Sequence, residues 1–207
     1  MRIEAIVACA GSGNRLKRKK PKPLVNLAGV PIFVRTLKTL NSCRLIDKII
    51  LVVKKEESAR FAGIVKKYHL QKIKAIIPGG KTRKHSVNNG LRFLDKNTQL
   101  VVIHDGVRPF INQRLIVRVI KAASKFGAAI LAVPAKATIK QVNPSQAIVE
   151  KTLDRKRIWE AQTPQVFKKD IILAAYKNFK GVATDDASLV ENLNQPVKIV
   201  KGSYYNI

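Results

Sequence analysis

The chain has 207 residues, the size of one domain or of a large domain with an excursion. Apolar residues make up 46%, enough for a real core, and Lys and Arg total 40 against 13 Asp and Glu, a net charge of +27. No apolar run approaches a membrane span, no signal-like segment opens the chain, and Cys9 and Cys43 make neither a disulfide framework nor a metal site; a cytoplasmic protein with no membrane partner is expected.

In chain order, Ile3–Ala8 reads as a buried strand. Pro31–Leu40 has helical spacing, with Ile32, Val34, Leu37 and Leu40 apolar. Lys48–Val53 is a second buried strand and Glu56–Tyr68 a second helix. Ile73–Ile77 is a strand ended by Pro78-Gly79-Gly80, followed by a helix at Ser86–Leu94. A strand at Leu100–His104, a helix at Arg114–Lys125 and a strand at Ala128–Val133 continue the alternation. This β-α order predicts a doubly wound, mainly parallel, Rossmann-like α/β sheet with helices on both faces. After Pro134 the pattern changes. Thr138–Val142 and Ala147–Thr152 alternate apolar and polar residues around Asn143-Pro144-Ser145, which predicts an antiparallel β-arm projecting from the sheet at about 136–155. Two strands are not stable alone, so the arm calls for a partner surface, most simply a second subunit. Helices near Lys168–Asn178 and Asp186–Leu193 and a strand at Val197–Val200 complete one domain over 1–207.

Doubly wound sheets bind ligands at the C-terminal ends of their strands. The first strand delivers Ala8-Cys9-Ala10-Gly11-Ser12-Gly13-Asn14-Arg15, then a basic run that closes at Lys22. Small residues let backbone N–H groups approach a ligand, and the following charge suits a triphosphate. The spacing is neither a Walker A loop nor the dinucleotide fingerprint, since Leu16 stands where each needs glycine. Pro21 and Pro23 are expected to hold the backbone around Lys22 extended. Gly79-Gly80 before a helix would admit a base or ribose, or form a plain turn. His104-Asp105-Gly106-Val107-Arg108-Pro109 ends the fourth strand. Asp105 could hold magnesium beside a triphosphate and Arg108 a phosphate, or the two could form an internal ion pair. His104 reads as a packing residue. Thr138 with Lys140, Asp154-Arg155, Gln162-Thr163-Pro164-Gln165 and Thr184-Asp185-Asp186 offer hydroxyls and cations suited to a phosphorylated polyol. Thr184 also reads as a helix N-cap. The lysines are spread over nearly every predicted helix and aromatics are only 6%, which disfavours nucleic acid as a partner.

Taken together, the Ala8–Arg15 loop with Pro21-Lys22-Pro23, the Gly79-Gly80, Arg83 and Ser86-Val87 segment, His104–Phe110, Ala161–Gln165 and Thr184–Ser188 closely resemble the 2-C-methyl-D-erythritol 4-phosphate cytidylyltransferases of the non-mevalonate isoprenoid pathway. The resemblance spans nearly the whole chain. It implies transfer of a cytidylyl group from CTP to methylerythritol phosphate with Mg2+ present. Ala8, Cys9, Ala10, Gly11 and Gly13 would line the CTP site, with Arg15 and Lys22 catalytic on its phosphates. Gly80, Lys81 and Ser86 would lie near cytosine and ribose, though some relatives carry an acid at the position of Lys81. Asp105 would hold the metal, and Arg108, Thr163 and Thr184 the methylerythritol phosphate. Thr138 and Arg155 would reach the substrate from the neighbouring subunit of a homodimer built on the arm. The family continues after the Asn-Ile of the last residues with a lysine and a helix, so the resemblance implies a fragment, and weak activity if the chain is truly this short. Ribitol 5-phosphate cytidylyltransferases share most motifs; Arg155 followed by Arg157-Ile158-Trp159 favours the methylerythritol enzyme. A nucleic-acid-binding protein on the same scaffold is the rival of another class.

Overall fold

A computed structural model describes residues 1–11, 21–179, 181 and 183–207. The elements run in chain order as β1 (Ile3–Ala8), a short hairpin of β2 (Asn26–Leu27) and β3 (Val30–Pro31), α1 (Ile32–Ser42), β4 (Lys48–Val53), α2 (Ser58–Lys67), β5 (Ile73–Pro78), α3 (Arg83–Leu91), β6 (Leu100–Asp105), α4 (Gln113–Phe126) and β7 (Ala128–Pro134). An arm of β8 (Lys140–Asn143) and β9 (Ile148–Thr152) follows, then β10 (Trp159–Lys168), α5 (Lys169–Asn178), α6 (Asp186–Glu191) and β11 (Lys198–Lys201).

Among the described residues, seven strands form one sheet in the order β11-β7-β10-β6-β1-β4-β5. The pairs β1–β4, β1–β6, β4–β5 and β7–β11 are parallel; β10 runs antiparallel to both β6 and β7. The expectation of a mainly parallel, doubly wound sheet is met. The alternation of each strand explains why both faces are covered. In β1, Ile3, Ala5 and Val7 join the side chains of α1, α2 and α4, whereas Ile6 points to α3, α5 and α6. In β4, Ile49, Leu51 and Val53 face the first layer and Ile50 and Val52 the second. Burying a side chain of this size contributes about 1.5–3 kcal/mol, and these strands bury nearly every one.

Strand β10 has no counterpart in the sequence reading. Its Gln162-Thr163-Pro164-Gln165 stretch contains a proline, which cannot donate to a sheet ladder. The structure reconciles the two with a register shift: pairing to β7 breaks between Gln162 and Gln165, so Pro164 sits where no ladder bond is required. Around Lys22 the expected extended backbone is replaced by a single 3-10 turn, Lys22–Leu24, with Pro23 and Leu24 buried and Lys22 exposed. Helix α3 begins at Arg83, three residues before the expected start, because Thr82 caps it by accepting from the His85 N–H at 3.2 Å. The cap of α6 is Asp185, accepting from the Ser188 N–H at 3.0 Å, and not Thr184.

At the N-terminal end of the sheet lies a charge cluster. Glu4, fully buried in β1, accepts from the Asp95 N–H (2.8 Å), the Thr98 hydroxyl (2.9 Å) and Lys74 Nζ (3.3 Å). Asp95 in turn meets Arg2, Lys48 and Lys74, and the Lys74 hydrogen bond in particular holds its carboxyl well below the usual range. At the two outer strands, β5 ends in Pro78, and β11 presents Lys198, Ile199 and Lys201 to solvent.

Candidate active site

The direction of travel across the sheet reverses at β1. From β1 the chain moves to β4 and β5 through α1 and α2, then returns over the opposite face through α3 to place β6 on the other side of β1. Crevices at such switch points, outside the carboxyl ends of the strands, are where doubly wound sheets hold ligands. The loops after β1, β5 and β6 meet there. The Cys9 N–H donates to Val52 O (2.7 Å), Gly79 N–H to Val53 O (2.7 Å) and Gly106 N–H to Ala8 O (3.0 Å), so the ladder continues past the strand ends. A Cβ on Gly79 would overlap the Ala10 side chain, and one on Gly106 would overlap Cys9 Sγ. Only glycine allows the three loops to close into one wall.

The charged part of the wall is a linked chain of side chains. Asp105, at the tip of β6, receives Arg83 Nε on Oδ1 and Arg108 Nε on Oδ2, both at 3.2 Å. Arg83 NH1 continues to Asp186 Oδ2 at 2.7 Å, and the Tyr176 hydroxyl donates to the other oxygen of that carboxylate. Arg108 NH1 donates to Asn206 O at 2.9 Å. Asn206 is fully buried and donates through Nδ2 to Thr163 O at 2.8 Å. Burial acts to raise the Asp105 carboxyl, but the Arg83 and Arg108 guanidiniums outweigh it and hold it below its ordinary range. For Asp186 the balance is the reverse: complete burial wins over Arg83 and pushes the carboxyl up. His104 is fully buried, and burial pulls its imidazole down to about 4. Its Nδ1 lies 2.8 Å from the Thr163 hydroxyl, and its Nε2 has no hydrogen-bond partner among the described residues. It is therefore neutral at physiological pH and has no access to solvent for proton exchange.

The residues singled out from sequence distribute as follows. Ala8, Cys9, Ala10 and Gly11 follow β1 along the wall; the Cys9 thiol is buried, and burial pushes it up, so it is a packing group. Gly13 and Arg15 fall outside the described residues. Lys22 stands exposed on its turn. Gly80 and Lys81 are exposed on the loop before α3, and the Ser86 hydroxyl, buried, donates to Thr82 O (2.9 Å) and accepts from the Gly80 N–H (3.1 Å), shaping that loop. Asp105 and Arg108 are brought together with Thr163, whose hydroxyl accepts from the Asp105 N–H at 3.2 Å. The Asp105–Arg108 ion pair weighed from the sequence is present. Thr184 borders a narrow cleft with Arg83, Lys84, Tyr176 and Asp185. Thr138 and Arg155 lie exposed on the arm segment; Arg155 NH1 donates to Lys136 O (3.2 Å). The arm itself is solvent-facing, with Val142, Ile148 and Val149 about half exposed.

Three residues of the wall had no assigned role from the sequence. Arg83 bridges two carboxylates. Gln165 takes the Asp186 and Ala187 N–H groups at 3.1 and 3.0 Å and donates to Asp185 at 2.7 Å, fixing the start of α6. Asn206 locks the last segment to β10. Arg83 stands in the motif set that carries the family resemblance, but its neighbours in sequence give no sign of the two carboxylates it meets. A larger cavity, about 550 Å³, opens at the opposite end of the sheet beside Met1, Leu100, Lys169 and Leu173. Thr98, Gln99, Ser124, Lys168 and Asp170 complete its lining, and none of the glycine loops reaches it.

Magnesium is commonly held by one or two carboxylates and substrate phosphates, with waters completing its shell. Asp105, ionised and at the rim of the wall, suits that role: each oxygen keeps a lone pair beyond its arginine contact. Among the described residues no cluster of three or more His, Cys, Asp or Glu side chains that could hold a metal ion forms.

Comparison with known proteins gives one consistent result. The family model described as "IspD: 2-C-methyl-D-erythritol 4-phosphate cytidylyltransferase" matches residues 3–207. The protein of that name from Syntrophus aciditrophicus (strain SB) is 48% identical over 212 residues, covering 100% of this chain and 89% of the relative. That from Geobacillus thermodenitrificans (strain NG80-2) is 43% identical over 210 residues, covering 100% and 91%. Among solved structures, 4-diphosphocytidyl-2C-methyl-D-erythritol synthase from Anaerococcus prevotii DSM 20548 superposes with a TM-score of 0.88 at 34% identity, over 100% of this chain and 91% of that one.

Proposed function

Since this chain belongs to the 2-C-methyl-D-erythritol 4-phosphate cytidylyltransferase family, we propose that the wall at the β1/β6 switch point is where its reaction takes place. The chain is a nucleotidyltransferase of isoprenoid biosynthesis: CTP and 2-C-methyl-D-erythritol 4-phosphate give 4-diphosphocytidyl-2-C-methyl-D-erythritol and pyrophosphate. The observation that carries the siting is the fusion of three glycine-bearing or small-residue loops beside the paired Asp105 and Arg108.

The acceptor phosphate is already ionised and attacks the α-phosphorus of CTP directly, forming one P–O bond as the bond to pyrophosphate breaks. No general base is needed, which agrees with a buried, neutral His104. The obstacle is an anion approaching a polyanion. Lys22, with Arg15 in the segment outside the described residues, would hold the triphosphate and meet the charge that gathers on its non-bridging oxygens. Backbone N–H groups of Ala10 and Gly11 would approach the phosphates, and the Gly80–Ser86 loop the cytosine and ribose. Arg108, its plane set by Asp105 and Asn206, would hold the acceptor phosphate with its remaining donors. Thr163 and Thr184 border the same space; the Thr163 hydroxyl, engaged by His104 and Asp105, contributes by shaping it. Mg2+ would sit on Asp105 and the triphosphate. When bound, it neutralises charge on the nucleotide and orients it.

The exposed apolar arm supports a homodimer in which Thr138 and Arg155 complete the partner's site. Two buried free cysteines, and the lack of any helix among the described residues long and apolar enough to cross a membrane, support a cytoplasmic setting. The test is pyrophosphate release from CTP and Mg2+ with each polyol phosphate in turn. Release with methylerythritol phosphate is expected; release with ribitol 5-phosphate alone would overturn the acceptor assignment. A monomer in sedimentation would overturn the arm's role.

A further inference from the structure

Arg83 is the first residue of α3, directly after the loop that carries Gly79, Gly80 and Lys81. Its guanidinium is spent on two carboxylates from distant parts of the chain: Nε on Asp105 Oδ1 at 3.2 Å and NH1 on Asp186 Oδ2 at 2.7 Å. Asp186 is itself immobile. It is 1% exposed, its second oxygen takes the Tyr176 hydroxyl, and its N–H donates to buried Gln165. One end of the bridge is thus anchored in the core under α6, and the other reaches the rim of the wall. With Arg108 Nε on Oδ2, the Asp105 carboxylate is gripped from both sides, which fixes its plane. Arg108 is fixed in return, between Asp105 and Asn206 O. A planar fork holds two carboxylates at set spacing and in set planes; an ammonium can touch two, as Lys74 does with Glu4 and Asp95, but as a point charge it does not fix their planes.

We propose that Arg83 is a positioning residue of the transfer reaction, holding the Asp105–Arg108 pair in register with the core through its bridge to Asp186. The inference rests on the siting given above. A small misplacement of groups that align the reactants costs about 10²-fold in rate. The loss therefore falls on kcat. The KM for CTP, set mainly by the β1 loop and Lys22, changes little.

Arg83→Met alone strands the buried Asp186 carboxylate and tests folding more than function. The informative variants are Arg83→Lys, which keeps the charge, and Arg83→Met combined with Asp186→Asn, which removes the bridge and the stranded charge together. Both are compared with Asp105→Asn in kcat, in both KM values and in Tm. The expected result is a kcat lowered about 10- to 100-fold in Arg83→Lys and in the double variant, a CTP KM within about threefold, and a Tm for Arg83→Lys close to that of the parent. If Asp105→Asn is crippled while both Arg83 variants turn over within twofold of the parent, the positioning role is wrong and the siting stands. If Asp105→Asn turns over like the parent, the siting fails and the role of Arg83 with it.

Discussion

The two ends of the sheet carry charge clusters built from similar parts and put to different use. At the N-terminal end, Glu4 and Asp95 are met by Arg2, Lys48, Lys74, the Thr98 hydroxyl and a backbone N–H. Those donors come from neighbouring strands and their loops, and they enclose the fully buried Glu4. At the C-terminal end, Asp105 and Asp186 are met by Arg83, Arg108 and Tyr176. Guanidiniums carry five N–H donors each, more than two carboxylate contacts consume, and this cluster borders the loops where glycine leaves room. The first cluster staples strands; the second, on the siting proposed above, would also keep donors for an anion. Charge alone does not separate them, since Arg2 Nε in the first cluster also lacks a partner among the described residues. What sets the second apart is its place beside the glycine loops.

The contrast can be broken by substitution at each end. The largest effect expected is at the ligand end: Lys22→Ala should lower kcat by about 10²- to 10³-fold, as when a group meeting transition-state charge is removed, with Tm unmoved because Lys22 is exposed. Steady-state pyrophosphate release and a thermal melt check both halves. At the other end, Lys74→Met should do the opposite. It leaves buried Glu4 without its cation and should cost about 3 kcal/mol in urea unfolding, while kcat per folded molecule stays the same. A catalytic defect in that variant would erase the distinction between the two clusters.

The smallest effect sharpens the comparison through pH. His104 titrates near 6.5 in the unfolded chain and at about 4 when folded, because burial disfavours its charged form. The unfolded state thus binds the extra proton first. The His104 contribution is intact above pH 6.5 and is lost as pH falls toward 4, at up to about 1.4 kcal/mol per pH unit. Asp95, held low by Lys74, acts in the same direction but loses its contribution only below the ordinary carboxylate range. Urea titrations at stepped pH should show a first decline that His104→Asn removes and a second, more acidic one that it leaves. A single decline unaffected by that substitution would refute the assignment.

The repeating strands and helices were readable because each buried strand is a run of four to six apolar residues, as in Lys48–Val53, with punctuation such as Pro78-Gly79-Gly80 between. Strand β10 was not, since Gln162, Thr163 and Gln165 are polar side chains turned inward. Their partners, Ser203, His104 and the start of α6, lie far off in sequence. The glycine loops, Asp105 and Arg108 stood out by sitting at strand ends. Arg83 appeared in the motif set without a role, because burial beside two carboxylates is a property of the fold and a surface arginine has the same letter. Thr184 and Asp185 show the limit of cap rules: both are good caps, and only the backbone decides between neighbours.

The outer strands bear on how one copy of the chain meets another. An open sheet edge is a template for strand addition. Here β5 ends in proline, and β11 sets Lys198 and Lys201 outward around Ile199. A second copy bringing its own β11 would align lysine against lysine, on molecules that each carry +27. Lys198 and Lys201 thus oppose sheet-to-sheet growth at this edge through like-charge repulsion.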